Sequence, residues 1–317
     1  MKKLIAFTMA MLMLLALTAC GAADDGKYHI GICQLAVHPA LDAATKGFQD
    51  ALVQELGADN VEFDLQNAAG DSNTCSSIVL QFVADDVDLM LANATAALQA
   101  ATAATADIAI LGTAVTEYGV ALGIENFNGT VGGNVSGTSD LAPLDRQAAM
   151  IRQWCPDAKT VGLLYCSGEP NSQYQVDMVQ KYLEEMGLTC TKYAFSDSNN
   201  MAAVTEAAAA ESDAIYVPTD NTVATGAPII DGICRAARVP VFAGEAGICS
   251  GCGVATLSIS YYDLGMTTGR MAARILKGEA EVSTMAIAYE ENLTPQYNET
   301  ICRDLGLTPP EGYEPLG

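Results

Sequence analysis

The chain has 317 residues, half of them hydrophobic and 17% charged, with a formal net charge of -23. Apolar content this high supplies a sizeable core and excludes a disordered chain, and the length allows about two domains. So acidic a balance excludes nucleic acid as a partner, because phosphate contacts need clustered Lys and Arg; it also disfavours highly anionic ligands unless their pocket is locally positive.

Lys2 and Lys3 precede an almost wholly apolar run from Leu4 to Leu17, followed by Thr18-Ala19-Cys20. This order of charged, apolar and small residues reads as a signal peptide over residues 1–19. The run is shorter than the roughly 20 residues of a spanning helix. Leu17-Thr18-Ala19-Cys20 also resembles a bacterial lipobox, which implies acylation of Cys20 and a tether over residues 20–26. The alternative is ordinary cleavage nearby, with Cys20 incidental. The protein is therefore expected outside the cytoplasmic membrane, held by lipid at the cell surface or in the periplasm. Nine cysteines follow Cys20, an odd number that cannot pair completely. Cys33, Cys166 and Cys190 fall in strand-like runs, where a thiol behaves as a small buried apolar group. Unpaired cysteines in such number point to a reducing habitat.

The pattern after residue 26 alternates short β-rich runs with helical stripes. Tyr28 to Leu35 reads as a strand, and Pro39 suits a helix start. Leu41, Ala44, Phe48, Ala51 and Leu52 recur at helical spacing up to Gly57. Val61 to Leu65, Val87 to Leu91 and Ile108 to Leu111 read as further strands. Helices are expected around Ile78 to Val83 and from Thr95. The pattern weakens over residues 125–140, which are rich in Gly, Asn and Ser, and then begins again. Leu144 to Trp154 reads as a helix, Val161 to Tyr165 as a strand, and Val176 to Met186 as a helix. Thr189 to Phe195, Ala214 to Val217, Val239 to Ala243 and Val254 to Ile259 are strands. Met201 to Ala210 and Ile229 to Ala237 are helices. Leu264, Thr268, Met271 and Ile275 stripe a last helix, and Thr284 to Tyr289 is strand-like.

This is an α/β pattern of two doubly wound lobes with a cleft between them. Ligands in such sheets sit beyond the carboxyl ends of the strands. Those ends carry Gln34, His38, Thr95, Thr113 and Thr116 in the first lobe. In the second they carry Glu169, Asn171, Ser172, Asp220, Asn221 and Glu245. Hydroxyls and helix amides can hold a carboxylate, and an acid facing them can hold an ammonium, so the set suits an amino-acid zwitterion. Each residue singly could instead cap the helix that follows it.

Enzyme readings have little to stand on. The only histidines are His29, inside the first strand, and His38, and no Gly-x-Ser-x-Gly elbow accompanies them. Cys249-x-x-Cys252 lacks the second pair or nearby His of a zinc site. No Walker motif is present, and the glycines at 129–133 lack the Lys of a phosphate cradle. No cofactor and no metal are called for.

The segments IGICQLAVHPALDAATKGFQDAL (30–52), LANATAALQAATAAT (91–105), ILGTAVTEYGVA (110–121) and GGNVSGTSDLAP (132–143) resemble one family in order. So do PDAKTVGLLYCSGEPNS (156–172), VPTDNTVA (217–224) and GVATLSISYYDLGMTTGRMAARIL (253–276). The family is that of ABC-transporter substrate-binding proteins of the type I, Leu/Ile/Val-binding-like fold, and the resemblance is to the group that includes tryptophan- and tyrosine-binding lipoproteins. It implies two Rossmann-like lobes, residues 27–139 plus 262–286 and 140–261 plus 287–317, joined by three crossovers near Ser139, Tyr261 and Ile287. It implies hinge closure on a small ligand and an ABC permease as membrane partner, and a monomer fits a freely closing pair of lobes. It also assigns Thr95, Thr113 and Thr116 to the ligand's main-chain groups, Asp220 and Asn221 to its ammonium, and Gln34 and His38 to its side chain. Tyr118, Tyr174 and Tyr261 are the aromatic residues placed to meet an aromatic ligand. Where the family often carries charged or bulky residues after Gly244-Glu245, this chain has the Gly- and Cys-rich run Ala246 to Cys252. A nucleoside, a sugar or another neutral solute on the same scaffold, or a sensor role, stands beside the amino acid.

Overall fold

The structure, a computed structural model, describes residues 26–290 and 292–316. The leader, Cys20 and all of the tether except Gly26 lie outside the described residues.

The first sheet contains β1 (Tyr28–Gln34), β2 (Val61–Asn67), β3 (Leu89–Asn93), β4 (Ala109–Val115), β5 (Val135–Ser139) and the two-residue β11 (Ala288–Tyr289). Its order is β11-β5-β4-β3-β1-β2, parallel throughout. The second contains β6 (Thr160–Cys166), β7 (Thr189–Phe195), β8 (Ala214–Val217), β9 (Val241–Ala243), β10 (Ala255–Ser258), β12 (Thr294–Tyr297) and β13 (Glu314–Pro315). Its order is β13-β12-β10-β9-β8-β6-β7, and β12 runs antiparallel to β10. Inner strands such as β3 and β8 are buried at every position, because helices cover both faces. The edge strands β2 and β7 bury only some of their residues. Cys190, on β7, is accordingly half-buried, whereas Cys33 and Cys166 are buried. All nine cysteines of the described residues are free thiols.

The first sheet carries α1 (Pro39–Leu56), α2 (Ser72–Ala84), α3 (Thr95–Ala104) and α4 (Tyr118–Leu122). The second carries α5 (Leu144–Trp154), α6 (Pro170–Glu185), α7 (Met201–Glu211), α8 (Asn221–Ala237) and α9 (Ala246–Cys252). α10 (Tyr261–Leu276) returns to the first lobe and lies along α1, while α11 (Glu299–Leu305) stays with the second. The α1–α10 contact is backbone-close: a Cβ on Gly265 would stand 2.0 Å from the Ala44 carbonyl oxygen, so only glycine fits.

The chain passes between the sheets three times: between Ser139 and Leu144, between Ser258 and Tyr261, and between Tyr289 and Thr294. The third passage falls later than the expected crossover near Ile287, because Ala288 and Tyr289 still pair with Thr138 and Ser139. The strand-like run from Thr284 shrinks to those two residues, preceded by a 3-10 turn at Val282–Thr284. β5 lies in the Gly- and Ser-rich stretch that reads as a gap in the pattern. Its Gly137 adopts φ +145 and packs so tightly on β4 that a Cβ would meet the Gly112 carbonyl oxygen at 2.1 Å.

Candidate functional site

Residues just past the carboxyl ends of β1, β4, β8 and β9 converge on a cavity between the lobes. Five helices begin at its wall, α6 with Asn171 and α10 with Tyr261 among them. Ala40 and Leu41 bring α1, Asn221 and Ala224 bring α8, and Ile248 brings α9. Each such end presents amides without intrahelical partners and a partial positive charge.

The ends of α8 and α9 are neutralised from within, and Ser260 caps α10. On α8, Asp220 Oδ1 accepts from the Val223 amide at 2.8 Å, and its Oδ2 accepts from the Cys166 amide at 2.7 Å. Glu169 accepts from the Asn221 and Thr222 amides at 3.0 and 2.9 Å, and from the Thr222 hydroxyl at 2.8 Å. On α9, Glu245 accepts from the amides of Gly247 and Ile248. α1 has no capping side chain, since its N-cap residue, His38, makes no such bond, and Asp42 is the acid of its first turn.

The wall nearest the crossovers holds Thr116, Asp140 and Tyr261. The Tyr261 hydroxyl donates to Asp140 Oδ2 at 2.8 Å, which ties the first passage to the second. Asp140 Oδ1 is buried and makes no hydrogen bond of good geometry, although the Thr116 hydroxyl beside it helps to hold the carboxyl down against burial. The backbone that brings Thr116 here is irregular: the β4–β5 register shifts between Gly112 and Val115, and Ala114 sits at φ 51. A non-glycine residue in that region costs on the order of 1 kcal/mol and is commonest where function over-determines the backbone.

The cavity is acidic and has no built-in counter-charge. Asp140, Asp220 and Glu245 line it and are nearly fully buried, and no Lys or Arg does so among the described residues. Burial raises all three carboxyls, Glu245 to about 7, against the opposing pull of the amides and hydroxyls that bond them. The nearby Glu169 raises Asp220 further. Burial together with Asp140 and Glu245 also pushes the Tyr261 phenol well above its ordinary value.

His38 spans the cleft. Its Nε2 lies 3.1 Å from Asn221 Oδ1, and burial lowers its pKa. Asn221 turns its amide nitrogen to Glu169 Oε2 at 2.7 Å, so its oxygen faces the ring. The imidazole therefore donates from Nε2, and its buried Nδ1 has no partner.

Of the residues expected at the site, the structure brings His38, Thr116, Asn171, Asp220, Asn221 and Glu245 to this cavity. The others do not line it. Gln34 is spent on Ala36, Asp42 and Thr45. Thr113 shares hydroxyl bonds with Thr138 and Thr268 behind the sheet end. Ser172 bonds Asn171, and Thr95 is buried at the start of α3. Glu169 serves α8 and opens on the outer cleft. Asp220, expected as an ammonium anchor, lines the cavity with each oxygen accepting one backbone amide, and Asp140 lines it beside Tyr261. Of the three tyrosines, only Tyr261 lines the cavity, and Tyr118 instead donates to the Thr138 carbonyl. Asp140 was legible only as a lone acid at the first crossover, in Ser139-Asp140-Leu141-Ala142-Pro143.

Two α/β lobes closing on a cavity at their strand ends define a two-lobed solute-binding protein, here of the type I periplasmic-binding architecture. The profile of ABC transporter substrate binding proteins matches residues 29–313, and the chain belongs to that family. It is 37% identical over 254 residues to a tyrosine-binding protein of Clostridioides difficile strain R20291, covering 80% of this chain and 73% of that one. The solved ABC domain from Streptococcus pneumonia in complex with L-Trp is 33% identical, covers 91% of this chain and 99% of that one, and superposes with a TM-score of 0.86. A substrate-binding protein with adhesive properties from Clostridium difficile, solved ligand-free and open, is 38% identical over 91% of this chain and 98% of that one. Its TM-score is only 0.70. The better fit to the complex, despite lower identity, agrees with the lobe-to-lobe bond between His38 and Asn221: this structure is the closed arrangement.

Proposed function

We propose that the protein works outside the cytoplasmic membrane, captures one aromatic amino acid in the interlobe cavity, and presents it to an ABC permease. The observation that carries this reading is Asp140: a buried carboxylate at the crossovers, in a cavity without Lys or Arg among the described residues. A buried charge of this kind demands a partner, and a ligand ammonium supplies one. Glu245 adds to the negative field, and Thr116 and Thr219 bring hydroxyls to the same cavity. The ligand's side chain then extends toward α1 and His38. The two relatives described as binding tyrosine and L-Trp support an aromatic side chain.

Closure is a hinge motion about the three crossovers. A ligand favours the closed form only as far as it binds that form better, and contacts to Asp140 and to both lobes supply the difference. We read the protein as a monomer that binds without turnover, since His38 bonds an amide side chain and not a hydroxyl or thiol nucleophile. Lipid on Cys20 would keep it at the membrane; Cys20→Ser is then expected to release it into the soluble fraction. The function is tested by denaturing the purified protein and identifying the released small molecule by mass spectrometry. An aromatic amino acid is expected, and a sugar or nucleoside would contradict the reading.

A further inference from the structure

Two unmet hydrogen-bonding needs sit side by side on the first-lobe wall. One is the bare amino end of α1, an 18-residue helix whose Ala40 and Leu41 line the cavity and whose N-cap residue gives no side-chain bond. The other is His38 Nδ1, in a side chain 7% exposed, buried and without a partner. The role of that nitrogen is settled by its neighbours. Glu169 can only accept, so the Asn221 amide nitrogen faces it and the Asn221 oxygen faces Nε2. Nε2 must carry the proton, which leaves Nδ1 as an acceptor. Burial lowers the pKa of the ring, although the Asn221 bond, Asp42 and Glu169 pull the other way.

We infer that His38 and the amino end of α1 together read a hydroxyl on the ligand's side chain, which makes His38 the residue that selects tyrosine. A phenol hydroxyl does both jobs: its proton goes to His38 Nδ1, and its oxygen takes an α1 amide. An indole N–H can satisfy only the first need, and a phenyl ring neither. The inference rests on the amino-acid reading above and names the side chain that this site prefers. It also gives Asn221 and Glu169 a positioning role, because they fix the tautomer without touching the ligand.

A site built around a donor discriminates strongly against the analogue that lacks it, since its own polar groups are left buried and unpaired. The experiment is calorimetric titration of the native protein and of His38→Leu with L-tyrosine, L-tryptophan and L-phenylalanine. In the native protein, tyrosine should bind at least about tenfold more tightly than phenylalanine, with tryptophan between them. In His38→Leu the loss of the Asn221 bond affects all three ligands alike, so the tyrosine-to-phenylalanine ratio isolates the hydroxyl contact. That ratio should fall to within about threefold. Equal native affinities for tyrosine and phenylalanine would overturn the inference, and so would a ratio that survives in folded His38→Leu. Binding of amino acids without regard to the hydroxyl refutes this inference alone. Binding of none of the three refutes the proposed function, and the inference with it.

Discussion

Asp140→Asn separates binding from folding. The substitution keeps the side-chain shape and an oxygen to accept the Tyr261 hydroxyl, now 2.8 Å from Oδ2. What it removes is a negative charge that is 4% exposed and has no Lys or Arg beside it in the cavity among the described residues. With an ammonium bound, the loss breaks a buried ion pair, which costs about 3–5 kcal/mol. At 1.4 kcal/mol per tenfold, that weakens binding by about a hundred- to several-thousand-fold. In the ligand-free protein the same change relieves a desolvated carboxyl whose pKa burial has raised, so the variant should melt no lower than the native protein. Calorimetric titration and a thermal melt of the same sample read both effects. Affinity for L-tyrosine within threefold of native would refute the assignment of Asp140 as ammonium anchor. A collapse in melting temperature would show that its role is structural.

Asp220→Ala should do the reverse. It strips the cap from α8 and leaves the Cys166 amide unpaired, at about 2–4 kcal/mol together, read by urea denaturation without ligand. Glu245 makes the site pH-dependent. Its folded pKa of about 7 lies above the ordinary 4.5, so its contribution to stability is whole below pH 4.5 and is lost as pH rises through 7. The ligand-free protein should lose up to about 3 kcal/mol from this group between pH 5 and pH 8, and Glu245→Gln should flatten the curve. The bound ammonium favours the ionised carboxyl. Affinity should therefore fall as pH drops below about 7, and titrations near pH 6.5 in buffers of different ionisation heat should show proton release on binding. Gly265→Ala forces α10 off the Ala44 carbonyl oxygen and should destabilise the first lobe by about 1–3 kcal/mol in urea melts.

Most of the frame was legible because inner strands of a covered parallel sheet are short apolar runs bounded by turn residues. Thr189 to Phe195, Ala214 to Val217 and Leu144 to Trp154 match β7, β8 and α5 residue for residue. β5 was not legible: Val135-Ser136-Gly137-Thr138-Ser139 has a loop's composition, and its glycine is there because β4 leaves no room for a Cβ. α8 begins eight residues before the expected Ile229, because the helix runs on through Pro228 and because Asp220 and Glu169 secure its start. α9 is Gly- and Cys-rich and owes its start to Glu245. At the site, residue type alone could not tell which acids the backbone amides of the cleft already meet. Asp220 and Asp140 are both buried aspartates at the cleft, and only the structure shows that the first is met by the Val223 and Cys166 amides and the second by hydroxyls.

The central claim is that the interlobe cavity holds an aromatic amino acid. Titration calorimetry on ligand-stripped native protein, with L-tyrosine and L-tryptophan beside D-glucose and adenosine, tests it most directly. The account predicts saturable one-to-one binding of the amino acids, tyrosine the tighter, and no heat from the sugar or the nucleoside. Binding of glucose or adenosine with no response to either amino acid would contradict it.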